Sequence, residues 1–358
     1  MNATQKLHAL GQSLWLDNIT RELLDNGTLK RYIDDFAVTG LTSNPTIFNE
    51  AIGGGAYDAA IREKANAGKA GEALFIELAL EDLRRAADLF APIHAQTGGV
   101  DGFVSMEVSP LLAADTKGTI AAAKAIFADA QRENLFVKIP GTPEGIPAIE
   151  ETIFAGVPVN VTLLFSREQY LAAAQAYLRG IERRIAAGLD PRVESVASLF
   201  ISRWDRALGK DVPADLHNQL GIAIGARTYR AYLDLLASQR WRDLAAKGAH
   251  PQRLLWASTG TKDPNLSPNL YVEAFAAPNT VDTMPEKTLL AFAKNGNVTS
   301  PMSEDSSAAE KLLSEFSRIG VDIDALALKL QEDGAKAFVD SWKELMQRIA
   351  SKSAALAA

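Results

Sequence analysis

The sequence predicts an α/β protein whose parallel strands close into a (β/α)8 barrel, with an open, doubly wound sheet as the alternative. Three features support this prediction. Eight short runs rich in Val, Ile, Leu and Phe recur along the chain, longer amphipathic segments lie between most of them, and 358 residues suffice for one barrel with extensions. Two domains of about 150 residues would also fit this length. We predict a single domain over residues 1–358, in which residues 303–358 form a packed helical extension.

The predicted strands and helices alternate, which indicates parallel strands covered by helices. The predicted strands comprise residues 14–17, 37–43, 102–108, 135–139, 158–164, 193–200, 254–258 and 279–283. The clearest predicted helices comprise residues 72–90, 119–132, 166–187 and 215–246. The last of these places extra helical structure in the loop after the sixth strand. Thr142 is a predicted N-cap with Pro143 at the first helical position, and Ser166 is another N-cap. After Pro285 we expect an almost entirely helical chain, with amphipathic stretches that open at residue 303 and cover residues 322–349.

Composition and charge exclude several kinds of protein and site. The chain has no cysteine, which excludes disulfides, thiolate metal sites and a cysteine nucleophile. Its four histidines lie far apart, so a histidine metal site is not expected, although carboxylates alone could bind magnesium. The net charge of −7 provides no electrostatic footprint for nucleic acid. No apolar run is long enough to span a membrane, and the first residues lack the layout of a secretory signal. We therefore expect a cytoplasmic enzyme.

Polar side chains end or follow the predicted strands at the edge where a barrel carries its active site. The first strand ends in Asp17, and Asn44 follows the second. Glu107 in the third strand lies opposite a face of valine and methionine side chains, and Lys138 in the fourth lies opposite a face of Leu, Val and Ile. Both charged side chains are thus expected to point into the barrel.

Later strands add further polar candidates at the same edge. These are Asn160 and Thr162 in the fifth strand, Ser198 and Phe200 in the sixth with Arg203 just beyond it, and Ser258 at the end of the seventh with Lys262 beyond it. Taken singly, such residues are usually solvated side chains, caps or turns. Strands covered by helices have no solvated face, however, and burial of an unpaired charge is costly. The recurrence of polar residues in successive strands therefore favours an active site.

Amine catalysis is the chemistry that fits these residues. A dry site disfavours the charged form of a lysine, and the neutral amine of Lys138 could attack a carbonyl to form a Schiff base. Glu107, aided by Thr162, could hold the water that shuttles protons during this step. Asp17 supplies a carboxylate that could act as the base where a bond is cut.

The other candidates fit a phosphorylated polyol. Asn44 and Asn160 could bind its hydroxyls, and Arg203 with Lys262 could bind its phosphate. The glycines at residues 53–55 do not form a nucleotide-binding motif, so a nucleotide site is not expected.

Three segments resemble motifs of the transaldolases. Residues 40–48 (GLTSNPTIF) resemble the family's Thr-Ser/Thr-Asn-Pro motif, and residues 135–146 (LFVKIPGTPEGI) resemble the segment around its Schiff-base lysine. Residues 159–166 (VNVTLLFS) resemble its fifth-strand motif. The resemblance extends from about residue 14 to residue 285. The chain length, residues 256–262 (WASTGTK) and the helical tail are most similar to the longer bacterial, type 2 subfamily.

The resemblance implies a TIM barrel of the pentose phosphate pathway that needs no metal or cofactor. The implied reaction transfers a dihydroxyacetone unit from sedoheptulose 7-phosphate to glyceraldehyde 3-phosphate, and yields erythrose 4-phosphate and fructose 6-phosphate. By position, Lys138 matches the Schiff-base lysine, and Glu107 and Thr162 match the pair that holds the catalytic water. Asp17 matches the carboxylate that takes the proton when C3–C4 breaks.

The resemblance also implies substrate-binding roles. Asn44 and Asn160 match the asparagines that hold the dihydroxyacetone hydroxyls, Ser198 matches a serine that lines the site, and Arg203 matches a phosphate-binding arginine. The chain departs from the family pattern in three places. Residues 199–203 are LFISR where the family often has PFVGR, Asn18 stands where a threonine is expected, and Lys262 replaces a second arginine. A lysine supplies a point charge without the bidentate fork of an arginine.

Two other functions remain open. One is an aldolase on the same scaffold that releases free dihydroxyacetone, and the other is a non-catalytic barrel that binds sugar phosphates. Phe200 favours transfer, because a phenyl ring gives the enamine no proton donor, whereas a tyrosine there would favour release. The presence of Lys138 and Glu107 argues against a non-catalytic protein.

Overall fold

Eight parallel strands form a closed barrel in the computed structural model, which describes residues 1–209, 211–261 and 263–357. The strands are β1 (Ser13–Asp17), β2 (Val38–Thr42), β3 (Val104–Glu107), β4 (Leu135–Pro140), β5 (Val159–Leu164), β6 (Ser195–Phe200), β7 (Arg253–Ala257) and β8 (Val281–Met284). Consecutive strands are neighbours, and β1 pairs with β8, which excludes the open sheet. All eight predicted strands are confirmed, with ends displaced by one or two residues.

Helices cover the barrel and extend beyond it. They are α1 (Ala3–Ala9), α2 (Arg21–Asp25), α3 (Thr28–Phe36), α4 (Pro45–Gly53), α5 (Asp58–Asn66), α6 (Gly71–Gln96), α7 (Thr116–Ala130), α8 (Gly145–Phe154), α9 (Arg167–Ala186), α10 (Ser202–Leu208), α11 (Leu220–Leu236), α12 (Gln239–Ala245), α13 (Leu270–Ala274), α14 (Glu286–Asn295), α15 (Ser307–Arg318) and α16 (Ile323–Ala357). Ser166 caps α9 as predicted, in a capping box with Gln169. Helix α8 begins at Gly145, two residues after the predicted start, and the Gly145 N–H donates to Thr142 Oγ1 at 3.1 Å.

Two helix predictions were wrong in part. Residues 215–246 do not form one helix, because Ser238 has an extended backbone and its hydroxyl accepts the Trp241 N–H at 3.2 Å, which starts α12. The chain after Pro285 is not almost entirely helical either, since residues 296–306 connect α14 to α15 without helix. Helices α10, α11 and α12 lie between β6 and β7, and confirm the extra helices predicted after the sixth strand.

Side chains alternate across each strand, so that one face meets the helices and the other fills the barrel. In β3, Val104 and Met106 belong to the apolar layer under the helices. Phe103 instead stacks on Phe136 of β4 inside the barrel, with ring centroids 4.1 Å apart, and Trp15 of β1 lies 5.9 Å from Phe136. These rings form an apolar floor across the middle of the barrel.

Polar contacts fill the amino end of the barrel, below the aromatic floor. Arg253 Nη1 donates to Ser13 Oγ at 2.7 Å, and Trp15 Nε1 donates to Asp101 Oδ1 at 2.9 Å. Ser13 Oγ also donates to Asp101, so the buried carboxylate is satisfied. The cavity that carries the polar candidates therefore lies at the opposite, carboxyl end.

The last helix, α16, lies against the carboxyl end of the barrel. It packs on α4 and α5 and also contacts β5. Its Phe338 side chain reaches the cavity at this end. Among the described residues, no helix combines the length and the apolarity that crossing a lipid bilayer requires.

Candidate active site

Three neighbouring strands bring three polar side chains side by side. In the parallel register, Glu107 of β3 is opposite Lys138 of β4, and Lys138 is opposite Asn160 of β5. Each alternates with apolar residues that face the helix layer, so all three point inward. Sequence alternation predicted this inward direction, and the strand register adds that the three residues are direct neighbours.

Lys138 and Glu107 form a buried ion pair. Lys138 Nζ lies 3.3 Å from Glu107 Oε2, and the two side chains are only 7% and 6% exposed. The lysine donates its aligned hydrogen bond to the main-chain oxygen of Ser43, at 2.9 Å. Burial raises the pKa of the Glu107 carboxyl, while the charge of Lys138 acts in the opposite direction. The raised pKa favours the protonated form of the Glu107 carboxyl, which suits a group that gives and takes protons.

Two buried oxygens of the site lack hydrogen-bond partners. Glu107 Oε2 and Thr162 Oγ1 receive no aligned donor from any residue that the structure describes. Buried polar atoms of this kind are uncommon and are typical of sites that bind water or a ligand. Thr162 precedes Leu163, which has a φ of 58°, and the pairing of β5 with β6 changes register between Val161 and Leu164. Such a bulge redirects side chains and is frequent beside active sites.

A cavity opens at the carboxyl end of the barrel, with about 670 Å³ of empty space that includes open solvent at its mouth. Eight of the eleven predicted site residues line it: Asp17, Asn44, Lys138, Thr162, Ser198, Phe200, Arg203 and Ser258. Two more contact this lining, since Glu107 pairs with Lys138 and Asn160 Oδ1 accepts a hydrogen bond from Ser198 Oγ at 2.7 Å. Lys262 lies outside the described residues.

Asp17 and Asn44 are held by residues of β2 and α4. Thr42 Oγ1 donates to Asp17 Oδ1 at 2.8 Å, which orients the carboxylate at the end of β1. Asn44 Oδ1 accepts the Ile47 N–H at 3.0 Å and so caps α4. Asn44 thus has a structural role and also lines the cavity.

Arg203 supplies positive charge to the cavity. Its guanidinium lies 5.1 Å from the centre of the Phe200 ring, and Phe200 packs on Phe165 with centroids 5.4 Å apart. Burial lowers the pKa of Arg203, and the charge of Arg206 adds to that effect, yet a guanidinium stays protonated at neutral pH. Arg203 forms no ion pair with any residue in the described ranges, so its charge is available to an anion in the cavity.

Sequence reasoning missed part of the lining. The missed residues are Thr42, Ala257, Gly260, Thr283, Pro285 and Phe338. Thr42 and Thr283 are inward positions near the ends of β2 and β8, so strand alternation would have found them. Phe338 had no such signal, because helical periodicity marks a buried face without identifying what it packs on. Ser258 lies just past β7 rather than in it, and its Oγ is 2.8 Å from Ser202 Oγ.

Known proteins resemble this chain over nearly its whole length. The family model described as Transaldolase/Fructose-6-phosphate aldolase matches residues 14–349. A protein of Thiobacillus denitrificans named Transaldolase is 42% identical over 98% of this chain and 100% of its own length. One of Arthrobacter sp. with the same name is 43% identical over 96% of this chain and 95% of its own. A Nostoc punctiforme protein named Transaldolase 2 is 39% identical over 98% of this chain and 97% of its own length.

Proposed function

Because the chain belongs to the transaldolase/fructose-6-phosphate aldolase family, we propose that it is the transaldolase of the pentose phosphate pathway. It transfers a dihydroxyacetone unit from sedoheptulose 7-phosphate to glyceraldehyde 3-phosphate, and it forms erythrose 4-phosphate and fructose 6-phosphate. Membership of the family confirms the resemblance predicted from the three sequence motifs. The observation that supports the reaction most directly is the buried contact between Lys138 and Glu107 at the cavity.

In the first step, Lys138 forms a Schiff base with the ketose. Its amine attacks the C2 carbonyl and gives a carbinolamine, whose hydroxyl leaves as water after it takes up a proton. Glu107 relays that proton through a water molecule held between its carboxylate and the Thr162 hydroxyl. Glu107 Oε2 and Thr162 Oγ1 both lack an aligned hydrogen-bond donor among the described residues, which supports this assignment.

In the second step, the C3–C4 bond breaks. Asp17 takes the proton of the C4 hydroxyl, the aldose leaves as an aldehyde, and the electron pair of the bond moves toward the iminium on Lys138. The product is an enamine. When an acceptor aldehyde enters, C3 of the enamine attacks its carbonyl carbon, Asp17 returns the proton to the new hydroxyl, and water releases the ketose. The hydrogen bond from Thr42 keeps the Asp17 carboxylate oriented for both transfers.

The other cavity residues bind the substrate. Asn44, Asn160 and Ser198 hold the hydroxyls of the dihydroxyacetone unit, and Arg203 binds the phosphate. Lys262, in the sequence position of a second phosphate ligand, and Ser258 assist Arg203. A cytoplasmic location is part of the proposal, because charged sugar phosphates do not cross membranes unaided.

A second candidate function is an aldolase that releases free dihydroxyacetone. Release requires protonation of the enamine at C3. Phe200 lines the cavity with a phenyl ring that has no proton to donate, and this favours transfer over release. Incubation with fructose 6-phosphate alone distinguishes the two functions. A transaldolase releases dihydroxyacetone slowly until an acceptor aldehyde is added, whereas an aldolase releases it at once.

Borohydride trapping tests the proposed Schiff base. The protein is incubated with fructose 6-phosphate, reduced with borohydride, digested and analysed by mass spectrometry. We expect one reduced dihydroxyacetone adduct, on Lys138, and none in Lys138→Ala. Lys64→Ala is a matched control, since Lys64 is also largely shielded and paired with an acid, Glu81, but lies on α5 away from the cavity lining. An adduct on another lysine, or trapping that survives Lys138→Ala, would contradict the assignment.

A further inference from the structure

A buried glutamine of α16 joins the two strand ends that carry Lys138 and Thr162. Gln331 is 6% exposed, and its Nε2 donates to the main-chain oxygens of Gly141 at 3.0 Å and Leu163 at 2.9 Å. Gly141 directly follows β4, and Leu163 lies in β5. Both amide hydrogens of one side chain are therefore used to hold main-chain atoms at the carboxyl end of the barrel.

These hydrogen bonds surround Thr162. The Gly141 N–H donates to the Thr162 main-chain oxygen at 2.8 Å, and Gln331 binds the carbonyl of Gly141 on one side and of Leu163 on the other. Leu163 has a φ of 58°, a left-handed conformation that costs about 1 kcal/mol or more for a residue with a Cβ. Regular pairing with β6 does not fix this segment, because the register shifts there. The hydrogen bond from Gln331 to the Leu163 carbonyl supplies a contact from outside the sheet that holds the conformation.

We propose that Gln331 is a positioning residue for the reaction, which holds Thr162 and the end of β4 in the arrangement that Schiff-base formation requires. The inference rests on the proposed function. Gln331 itself does not line the cavity, so it acts through the main chain and not through contact with substrate. Because Gln331 lies on α16, this helix would position the active-site strands in addition to packing over the end of the barrel.

This role predicts an effect on kcat with little effect on KM. In the proposed function, substrate is bound by side chains such as Asn44 and Arg203, whereas both hydrogen bonds of the Gln331 amide go to main-chain oxygens. Displacement of Thr162 would instead misplace the water that it holds with Glu107. A misplacement of about 1 Å in a catalytic group lowers the rate by about 100-fold. We therefore expect Gln331→Met to lower kcat by about 10- to 100-fold and to change KM by less than about 3-fold.

The test compares two substitutions with a matched control. Gln331→Met keeps the size of the side chain and removes both donors, and Gln331→Glu keeps the shape but offers no donor when ionised. Gln12→Met is the control, because Gln12 is also fully buried and its Nε2 also makes two hydrogen bonds, to Phe275 O at 2.7 Å and Thr280 Oγ1 at 2.8 Å. Gln12 precedes β1 and lies at the other end of the barrel. We expect Gln12→Met to lower the unfolding midpoint and to leave kcat unaltered.

Steady-state rates, the rate of borohydride-trapped adduct formation and the unfolding midpoint are measured for all variants. A fall in kcat and in the trapping rate for the Gln331 variants alone supports the proposal. Equal kcat in wild type and Gln331→Met overturns it, and so does failure of both Gln331 variants to fold while Gln12→Met folds, since the role would then be stability. If wild type itself forms no adduct on Lys138, the proposed function fails and this inference fails with it.

Discussion

Asp282 provides a test of how strongly this fold tolerates a buried acid. It lies on β8 with no exposed surface, and its register neighbours, Leu14 and Trp256, belong to the apolar layer under the helices. Thr259 Oγ1 donates to one carboxyl oxygen at 2.9 Å, while the other oxygen finds no partner among the described residues. Burial raises the pKa of Asp282 to about 7, although the hydrogen bond from Thr259 acts in the opposite direction. Ser258 and Gly260, the residues on either side of Thr259 in the chain, line the cavity.

The raised pKa makes Asp282 destabilising at neutral and higher pH. A pKa of about 7 in the folded state, against 3.8 as the ordinary value, corresponds to about 4 kcal/mol. Between about pH 4 and pH 7 the folded chain keeps a proton that the unfolded chain has lost, so stability falls as the pH rises through this range. Above about pH 7 the full penalty is present, and below about pH 4 it vanishes.

Asp282→Asn should remove this pH dependence, because an amide resembles the neutral carboxyl group in shape and cannot ionise. Urea unfolding of wild type and variant is followed by tryptophan fluorescence at about pH 5 and about pH 8. We expect the free energy of unfolding of the variant to gain about 2.5 kcal/mol relative to wild type between these conditions. Asp129→Asn, at an exposed position of α7, should show no such gain. A difference between Asp282→Asn and wild type that stays constant with pH would refute the reasoning.

Three further predictions concern the cavity. Arg203→Leu should raise KM for fructose 6-phosphate by about 10- to 100-fold in steady-state assays, through loss of a charge-assisted bond of about 1.5–3 kcal/mol, and leave KM for unphosphorylated fructose unchanged. Phe338→Ala should lower the free energy of unfolding by about 3 kcal/mol and increase dihydroxyacetone release from fructose 6-phosphate alone, because it opens the cavity to water. Lys138→Met should lower the free energy of unfolding by about 3 kcal/mol, because it leaves Glu107 without its partner. The inactive double variant Lys138→Met/Glu107→Leu should have a free energy of unfolding equal to or above that of wild type, since a buried ion pair seldom adds net stability. Urea unfolding measures both.

The strands and the direction of their side chains could be predicted from the sequence. Alternation within β3 and β4 is enough to place Glu107 and Lys138 on the inward face, because a strand has a period of two residues. Closure of eight such strands then brings their carboxyl ends to one rim. The register that puts Lys138 beside Asn160 was not predictable, since it depends on strand pairing and not on local pattern.

Contributions from helices could not be predicted in the same way. The periodicity of α16 indicates a buried face, but any apolar surface of the barrel would satisfy it. Gln331 therefore gave no signal, although it makes two main-chain contacts at the cavity rim. The break at Ser238 did have a signal, because serine favours an N-cap over a helix interior. The continuous helical pattern on both sides concealed it.

Transfer and release differ only in what happens to the enamine, so the residues around the cavity decide between them. In the proposed mechanism, Lys138 and Glu107 serve both outcomes equally, because each outcome begins with the same Schiff base. Release needs a proton at C3, and Phe200 from β6 and Phe338 from α16 both present carbon surfaces to the cavity. In that mechanism, release of the completed ketose needs water at C2 to hydrolyse its iminium with Lys138, and Glu107 and Thr162 have buried oxygens that could hold this water. A site that admits one water at C2 and excludes others at C3 favours transfer, and the proposed mechanism assigns that selectivity to a helix packed against the barrel as much as to the strand ends.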